Sequence, residues 1–386
     1  MKKQNKPHFI IKNNFQKNKS ISYRDILTPN ILEDVCERVT GCREYTCEFD
    51  NNGYNKGRLA IIIYRGTTTY VSFSETNVTG RNYFFQSLTT ALVRYCLDDN
   101  PSKNICFYFL PLSGSVEARY FMFMYRLMAT AMVNFLNADK ILNQKIYPFS
   151  TVDDIIAARD MNKNRNRSNN STYITRSSKG ITQIYGKTYG ASKKETTLLC
   201  IAVSCLAPSI ELYEICEKNL SELPELDLEV IKSLGNVKVI QTDLTMERKA
   251  FEENNSLRSP SFIYNLLEIH GAKKCAFCEC EIPELIEGAH IWPVAEIKRE
   301  SKLDIESKIK CATDGNNGIW LCENHHKLLD EDLLTINLSG KVEYKSDLEE
   351  KHKKYIFVTT STTELAPSVF TAPFITYLKR RLRCAS

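Results

Sequence analysis

The sequence predicts an α+β protein, with an N-terminal region of mixed helices and strands followed by a small module rich in cysteine and histidine. The first observation is that segments with helical spacing alternate with short β-branched and aromatic segments over about the first 250 residues, without an internal repeat. The second is that five of the 14 cysteines and three of the 6 histidines lie between Cys275 and Asp330.

Length and composition place the chain among globular proteins of two or three domains. With 386 residues, of which 43% are hydrophobic and 25% charged, each domain can bury a core of its own. We expect the α+β region over residues 1–250, as one or two subdomains, and a connector over 251–271. The cysteine- and histidine-rich module then occupies 272–345, and a C-terminal extension covers 346–386.

The N-terminal elements follow from periodicity and from turn residues. Helical spacing predicts helices over 29–40, 82–97 and 116–135, the last giving the strongest helical signal of the chain. The segment GRLAIIIYRGTTTYVSFSE predicts two strands joined at Arg65–Gly66, and the apolar run 105–110 predicts a third strand.

The middle of the chain is more polar. It predicts a helix over 151–161, an exposed loop over 162–171 and a hairpin with its turn at Ser177–Gly180. An apolar helix follows, opened by a capping box of Ser192 and Glu195. Because backbone amides at a helix N-terminus favour an anion, lysines near this helix start are candidates for phosphate contacts.

Basic residues are concentrated in this middle segment, where Asp160 is the one acid between residues 159 and 194. They are Arg159, Lys163, Arg165, Arg167, Arg176, Lys179, Lys187, Lys193 and Lys194. We interpret this basic segment as a surface that follows DNA phosphates. The alternative is a solvated loop without a ligand.

Two pairs of metal-binding residues frame the C-terminal module. Cys275 and Cys278 form a CxxC pair, and Cys322 and His325 form a CxxH pair. Four such ligands suit one tetrahedral Zn²⁺, with Cys280 as the alternative to Cys278. Thiols stay reduced in the cytoplasm, so cysteines in a cytoplasmic chain favour metal binding over disulfides.

A cytoplasmic location is expected because the basic N-terminus lacks the apolar stretch of a secretory signal. The longest apolar stretch, 120–136, is interrupted by Arg126 and Asn134 and is too short to span a membrane. Neither a P-loop nor a dinucleotide-binding glycine pattern is present, so no nucleotide cofactor is expected.

Four further residues of the module have the side chains that metal-assisted phosphodiester hydrolysis needs. As a neutral imidazole, His290 can accept a proton from water. His326 and Asp330, four residues apart on a helix, can bind Mg²⁺ or Mn²⁺ and leave positions open for phosphate and water. Asn317 lies between His290 and His326 in the sequence. The order of these four residues favours a catalytic site over a purely structural zinc finger.

The same residues resemble the HNH nucleases, in the branch whose core contains AHI, NG and LCxxHH followed by Asp. The corresponding segments here are EGAHIWP, DGNNGIW and LCENHHKLLD, within about residues 272–344. The resemblance implies a ββα-metal fold with a structural zinc on the two Cys/His pairs. It also implies that His290 is the general base, that Asn317 orients the base and its loop, and that His326 and Asp330 bind the catalytic metal.

One position departs from the family pattern. Many members carry a metal ligand immediately before the base, where this chain has Ala289. Glu287 is the candidate substitute, because residues 287 and 289 of a strand share a face and a glutamate reaches further.

We therefore expect an endonuclease of double-stranded DNA that leaves 5′-phosphate and 3′-hydroxyl ends, most simply a type II restriction enzyme acting as a homodimer. Residues 1–250 resemble no family and provide a scaffold large enough for site recognition. Two alternatives stay open. One is an enzyme that cuts only modified DNA, marked by an aromatic cage. The other is a zinc-stabilised DNA-binding protein with an inactive HNH fold, which Ala289 would explain.

Overall fold

The computed structural model is an α+β protein, as the sequence predicts. The residues that the structure describes are 8–10, 33, 37, 43–49, 59–75, 89–90, 92–97, 104–110, 115–136, 145–163, 172–177, 179–187, 190–216, 223–242, 248, 251–253 and 259–384. Among them, no helix has the length and apolar character required to cross a bilayer.

The chain divides into two compact units, each assembled from separated stretches of sequence. Unit 1 comprises Met1–Thr172, Gly186–Leu212 and Leu220–Val239, and unit 2 comprises Tyr173–Tyr185, Tyr213–Asn219 and Ile240–Ser386. The cysteine and histidine cluster lies in unit 2.

Six strands precede the middle of the chain: β1 (His8–Ile10), β2 (Thr46–Phe49), β3 (Leu59–Tyr64), β4 (Thr67–Glu75), β5 (Asn104–Leu110) and β6 (Asn134–Leu136). One sheet has the order β2-β3-β4-β5, with β4 and β5 parallel, and β1 pairs with β6. The predicted turn between β3 and β4 is confirmed, with positive φ at Arg65 (40°) and Gly66 (79°), as tight hairpins require.

Unit 1 also contains α1 (Ser115–Thr130), α2 (Val152–Lys163), α3 (Gly190–Ser204) and α4 (Glu225–Ser233). The prediction that α1 continues to residue 135 is wrong. Met132 adopts a left-handed conformation (φ 68°), and the amide of Val133 donates to Met128 O at 3.0 Å. This closing motif satisfies the last carbonyls and ends the helix, so that β6 can follow.

The middle of the chain contains β7 (Thr172–Arg176), β8 (Thr182–Lys187), β9 (Ile210–Ile215) and β10 (Val237–Thr242), in the sheet order β10-β9-β8-β7. The predicted hairpin turn is confirmed, because Ser177 N donates to Ile181 O and Gly180 N donates to Ser177 O, both at 2.9 Å. The predicted helix over 29–40 and loop over 162–171 lie mostly outside the described residues, whereas 89–90 and 92–97 are helical as predicted.

The C-terminal part of unit 2 contains α5 (Pro260–His270), β11 (Ile286–His290), α6 (Val294–Arg299), α7 (Ile305–Thr313), β12 (Gly318–Cys322), α8 (Glu323–Asp330), β13 (Leu334–Ile336), β14 (Val342–Tyr344), α9 (Glu350–Thr359) and α10 (Ala372–Cys384). Helix α5 begins at Pro260, and the side chain of Ser259 caps it by accepting from Phe262 N. Phe262, Phe277 and Trp320 are at the centre of a core that joins α5 to the sheet.

Strands β11 and β12 pair antiparallel, with Glu287 opposite Leu321 and His290 opposite Gly318. Helix α8 follows β12 directly, so β11, β12 and α8 form a ββα unit. Strands β13 and β14 form an antiparallel hairpin with its turn at Gly340 (φ 85°). The ββα unit carries Glu287, His290, Cys322, His325, His326 and Asp330, whereas Cys275 and Cys278 precede it and Asn317 lies in the turn before β12.

Candidate functional site

Three thiols and one imidazole meet beside the first turn of α8. Cys275 and Cys278 come from the loop that precedes β11, Cys322 is the last residue of β12, and His325 lies in α8. Their ligand atoms all lie within 4.8 Å of one another. Cys322 Sγ is 3.1 Å and Cys275 Sγ is 3.6 Å from His325 Nδ1, and the sulfurs of Cys278 and Cys322 are 3.9 Å apart.

These distances fit a tetrahedral zinc site, in which two sulfurs bound to one ion are about 3.8 Å apart. The cluster can therefore hold zinc. Cys280, the alternative ligand, is not a member of the cluster, and its carbonyl accepts from the amide of Cys275 at 2.9 Å. Within the described part of the chain, no other group of three or more Cys, His, Asp or Glu side chains brings its ligand atoms this close together.

The zinc cluster is braced by residues outside it. His325 Nε2 lies 3.1 Å from Thr360 Oγ1, just beyond α9, and Phe277 packs edge-on against the imidazole. Such a second contact fixes the ring orientation and leaves Nδ1 to the metal. Burial raises the pKa of Cys275 to about 12, so its thiol is protonated without a cation and must lose the proton when zinc binds.

His290 lies at the end of β11, between a ring and a carbonyl. Its imidazole stacks on Phe262 of α5 with the ring centroids 3.8 Å apart, and its Nε2 is 2.8 Å from Ala312 O. A carbonyl oxygen can only accept, so Nε2 carries the proton. The lone pair is therefore on Nδ1, which is the atom able to accept a proton from water.

The surroundings of His290 keep it neutral. Burial lowers its pKa to about 4, with the hydrogen bond that Nε2 donates to Ala312 O raising it and the neighbouring His326 lowering it further. At neutral pH, the imidazole is thus unprotonated, which is the form that a general base needs.

Asn317 is fully buried and joins the loop after β11 to the end of α7. Its Oδ1 accepts from Trp292 N at 2.7 Å, and its Nδ2 donates to Trp292 O at 3.1 Å and to Cys311 O at 3.0 Å. Its own carbonyl accepts from Ile291 N at 2.9 Å. Asp314 caps the turn that leads to Asn317 by accepting from Asn316 N. These bonds hold the backbone immediately after His290.

Glu287, His326 and Asp330 form a row beside the base. His326 Nδ1 is 3.3 Å from Glu287 Oε2, and its Nε2 is 3.5 Å from Asp330 Oδ2. The row does not close around one point, because each carboxylate faces a different nitrogen of His326. A cation bound there requires one of these side chains to turn. The donor set of two carboxylates and one imidazole nevertheless suits a divalent ion.

Ala289 is fully buried, one residue before the base. It lies on the face of β11 that also bears Glu287, and Glu287 reaches His326 from this face. Position 289 therefore provides no ligand, and the nearest acid on that face is Glu287.

Two glycines allow α5 to lie directly on the opposite face of the sheet. A methyl group at Gly288 would be 2.5 Å from Leu266 Cδ1, and one at Gly318 would be 2.7 Å from both Leu266 Cδ2 and Phe262 Cζ. Because no side chain separates the helix from the strands, Phe262 can reach the imidazole of His290.

A pocket of about 240 Å³ lies beside Glu287 within unit 2. Its lining includes Tyr185 and Tyr213, whose rings stack 4.7 Å apart at 8°. Gln183 donates to the Tyr213 hydroxyl at 3.2 Å, and Lys273 also lines the pocket. Burial lowers the pKa of Lys273. The lining thus combines aromatic rings with an amide and an amine.

The structure corrects two members of the basic segment. Arg159 is buried at 2% exposure, and its guanidinium lies 2.6 Å from Glu195 Oε1. Lys194 is also mostly buried, with Nζ 2.8 Å from Asp227 Oδ1. Neither is on a surface that follows DNA phosphates, because each neutralises a buried carboxylate. The capping-box role predicted for Glu195 is wrong for the same reason, and α3 begins earlier, at Gly190.

The other basic residues are placed less completely. Lys179 is exposed in the β7–β8 turn, and Arg176 is partly buried. The structure describes the backbone of Lys163, Lys187 and Lys193 but not their side chains. Arg165 and Arg167 lie outside the described residues. Lys179 is therefore the candidate phosphate contact with a described, exposed side chain.

Comparison with protein families agrees with this geometry. Residues 275–337 match the HNH endonuclease family. The matched segment contains the zinc cluster, His290 and the Glu287–His326–Asp330 row, and it supports a nuclease activity on DNA that needs a divalent metal. No curated protein matches the chain.

Some residues of the HNH site were not predicted from the sequence. Phe262 and Thr360 lie outside the matched segment, and Ala312 contributes a carbonyl that any residue would provide. No motif marks them. Only the helical spacing of α5, which puts Phe262 and Leu266 on one face, gave an indication that this helix packs on the sheet.

Proposed function

We propose that the protein is a site-specific endonuclease of double-stranded DNA, most simply a type II restriction enzyme. The observation that carries this proposal is a neutral imidazole, His290, whose Nε2 is held by Ala312 O and whose pKa is lowered by the neighbouring His326 of the Glu287–His326–Asp330 row. A purely structural zinc finger has no need for this second set of residues.

His290 performs the proton transfer in the proposed reaction. Its Nδ1 accepts a proton from water, and the oxygen of that water attacks phosphorus in line with the leaving 3′ oxygen. The bond between phosphorus and the 3′ oxygen breaks, and solvent protonates the leaving oxygen. The products are 5′-phosphate and 3′-hydroxyl ends.

Glu287, His326 and Asp330 would hold the catalytic cation, Mg²⁺ or Mn²⁺. When bound, the ion stabilises negative charge on the phosphate and on the leaving oxygen. Asn317 keeps the loop after His290 in place through its bonds to Trp292. Zinc at the cysteine cluster would serve a different purpose, which is to hold the loop before β11 against α8.

Site specificity is proposed for residues 1–250. A non-specific nuclease needs little beyond the ββα unit. Contacts with base edges require a rigid scaffold that places side chains in a groove of the DNA. Cutting both strands of a symmetric site would call for a homodimer. Sedimentation or light scattering of the protein with and without DNA would test that assembly, and a monomer in both states would contradict it.

The test of the enzyme proposal is cleavage of plasmid DNA with Mg²⁺, Mn²⁺ or EDTA. We expect discrete fragments with either metal, none in EDTA, and loss of cutting in His290→Ala. His352→Ala is the matched control, because His352 is exposed on α9. A continuous smear would reject site specificity. Intact DNA with wild-type protein across these metals and a range of salt would reject the enzyme.

The pocket beside Glu287 favours a second candidate, an enzyme that cuts only modified DNA. Stacked tyrosines with an amide and an amine nearby are groups that can hold an extruded base. Methylated and unmethylated copies of the same plasmid distinguish the two. Cutting of the methylated copy alone, abolished by Tyr213→Ala, would replace the first proposal by the second.

The contact between Glu287 and His326 favours an active site over an inactive HNH fold. With Ala289 in the ligand position, only an acid elsewhere can complete the row, and Glu287 is in reach. Glu287→Gln preserves the shape of the side chain and removes its charge. We expect cleavage to fall by about a hundredfold or more. Full activity in this variant would exclude Glu287 as the substitute ligand.

A further inference from the structure

Helix α10 lies outside the segment that matches the HNH family, yet Arg381 on it reaches both ends of the candidate active site. Arg381 Nη1 donates to Ile291 O at 3.4 Å, and Nη2 donates to Leu329 O. Ile291 immediately follows His290, and Leu329 immediately precedes Asp330. One guanidinium therefore bridges the backbone of the base and that of the metal-binding helix.

The bridge is buried and fixed in place. The Arg381 side chain is 8% exposed, and Nη2 also lies 2.7 Å from Asp332 Oδ1. Asp332 adopts a left-handed backbone (φ 50°) directly after α8. A guanidinium has rigid, planar donors, so two acceptors on separate segments are held at a set spacing.

A second residue of α10 supports the same site. The hydroxyl of Tyr377 donates to Asp314 Oδ2 at 2.8 Å. The other oxygen of Asp314 caps the turn that leads to Asn317. Arg380 adds a cation–π contact with Trp292, at 5.4 Å from the ring centroid. Helix α10 thus contacts the backbone next to the base, the turn before Asn317 and the end of α8.

We propose that Arg381 is a positioning residue of the nuclease site, which sets the spacing between His290 and the Glu287–His326–Asp330 row. This inference rests on the proposed nuclease function. Its physical basis is that water activation and metal binding act on the same phosphate, so that a displacement of about 1 Å between the two can cost about a hundredfold in rate.

The experiment compares Arg381→Ala with Lys379→Ala, an exposed cation on the same helix. We expect Arg381→Ala to cleave DNA about a hundredfold more slowly, with unchanged zinc content and with DNA affinity in EDTA within about twofold of wild type. Guanidinium ions, added well below denaturing concentrations, should restore part of the lost rate. They should not affect His290→Ala. A folded, zinc-loaded Arg381→Ala with the wild-type rate would overturn the proposal.

Arg381→Lys decides the matter if the alanine variant does not fold. A lysine retains the charge but lacks the planar fork, so we expect normal zinc content and a rate at least tenfold below wild type. A wild-type rate in Arg381→Lys would overturn the proposal.

Amide hydrogen exchange makes the inference distinguishable from the proposed function. In Arg381→Ala or Arg381→Lys, exchange should quicken around residues 289–292 and 328–332 and stay unchanged around Cys275–Cys280. If the variants show this exchange pattern but the wild-type protein cuts no DNA, the Arg381 bridge is supported and the nuclease function is rejected. Unchanged exchange and rate in an active enzyme would reject the bridge and leave the nuclease intact.

Discussion

At the scale of single residues, His290 shows how the surroundings of an imidazole suit it to the proposed role of general base. Phe262 covers one face of the imidazole and Ala312 O holds Nε2–H, while burial lowers the pKa to about 4. A histidine in the unfolded chain binds a proton below about 6.5. The folding free energy that the neutral ring contributes is therefore fully present above about pH 6.5 and is lost as the pH falls towards 4.

This pKa can be measured by NMR titration of the imidazole in zinc-loaded protein without Mg²⁺. We expect half-protonation of His290 near pH 4. Phe262→Ala exposes the ring and should move the midpoint up towards about 6.5. If the midpoint of wild type already lies near 6.5, burial does not hold the base neutral.

The zinc ligands give a second prediction at this scale. Cys322→Ser should lower both the zinc content and the melting temperature, because the ion connects three separate parts of the module. Cys280→Ser is the matched control, since Cys280 is the adjacent thiol outside the cluster. Elemental analysis and thermal unfolding provide the readouts. Zinc retained in full by Cys322→Ser would contradict the scaffold assignment.

Thr360 extends the zinc site beyond its ligands. Thr360→Val removes the acceptor for His325 Nε2, and we expect the affinity for zinc to fall by about 10- to 100-fold. Thr359→Val, at the neighbouring position, should leave it unchanged. Competition with a chromophoric chelator measures both values, and equal affinities would show that the hydroxyl does not orient the imidazole.

At the scale of elements, the contact of α5 with the ββα sheet depends on two glycines. Gly318→Ala would press a methyl group against Leu266 and Phe262, so we expect a loss of about 1–3 kcal/mol in the free energy of unfolding. In the double variant with Leu266→Ala, the clash with Leu266 is relieved. In denaturant titrations, the double variant should then lose less free energy of unfolding than the sum of the losses of the two single variants. Strict additivity would mean that the helix moves away at no cost.

The sequence predicted local elements well because their signals are local. The β3–β4 turn at Arg65–Gly66 and the β7–β8 turn at Ser177–Gly180 follow from neighbouring residues. The end of α1 did not, because a methionine in the left-handed region has no sequence signature. The zinc ligands were predictable because chelation restricts both residue type and spacing.

Contacts between residues far apart in the sequence could not be predicted, for a physical reason. Arg159 and Lys194 read as surface cations in a polar segment, but Glu195 and Asp227 neutralise them in the interior of unit 1. Charge along a sequence does not say which charges are buried together. Arg381 is a similar case, since its acceptors lie about 50 and 90 residues away in the chain.

At the scale of the whole molecule, two lysines should behave in opposite ways. Lys194→Ala leaves Asp227 buried without its cation, and we expect a loss on the order of 3 kcal/mol in stability. Its effect on the salt dependence of DNA binding should be small. Lys179→Ala removes an exposed cation and should reduce the slope of log affinity against log salt by about 1, with stability unchanged. A reversal of these two outcomes would restore the expectation that Lys194 contacts phosphate.

The bridge from Arg381 ends on backbone carbonyls, and this bears on how far the cutting module can be transplanted. Main-chain acceptors exist whatever the side chains at 291 and 329 are, so substitutions at those positions leave no covarying trace of the dependence on Arg381. A chimera assembled from residues 275–337 alone would inherit every motif of the HNH match. It would also lack the donor that spaces its two halves. On the proposed role of Arg381, a transplanted cutting module should therefore extend through α10.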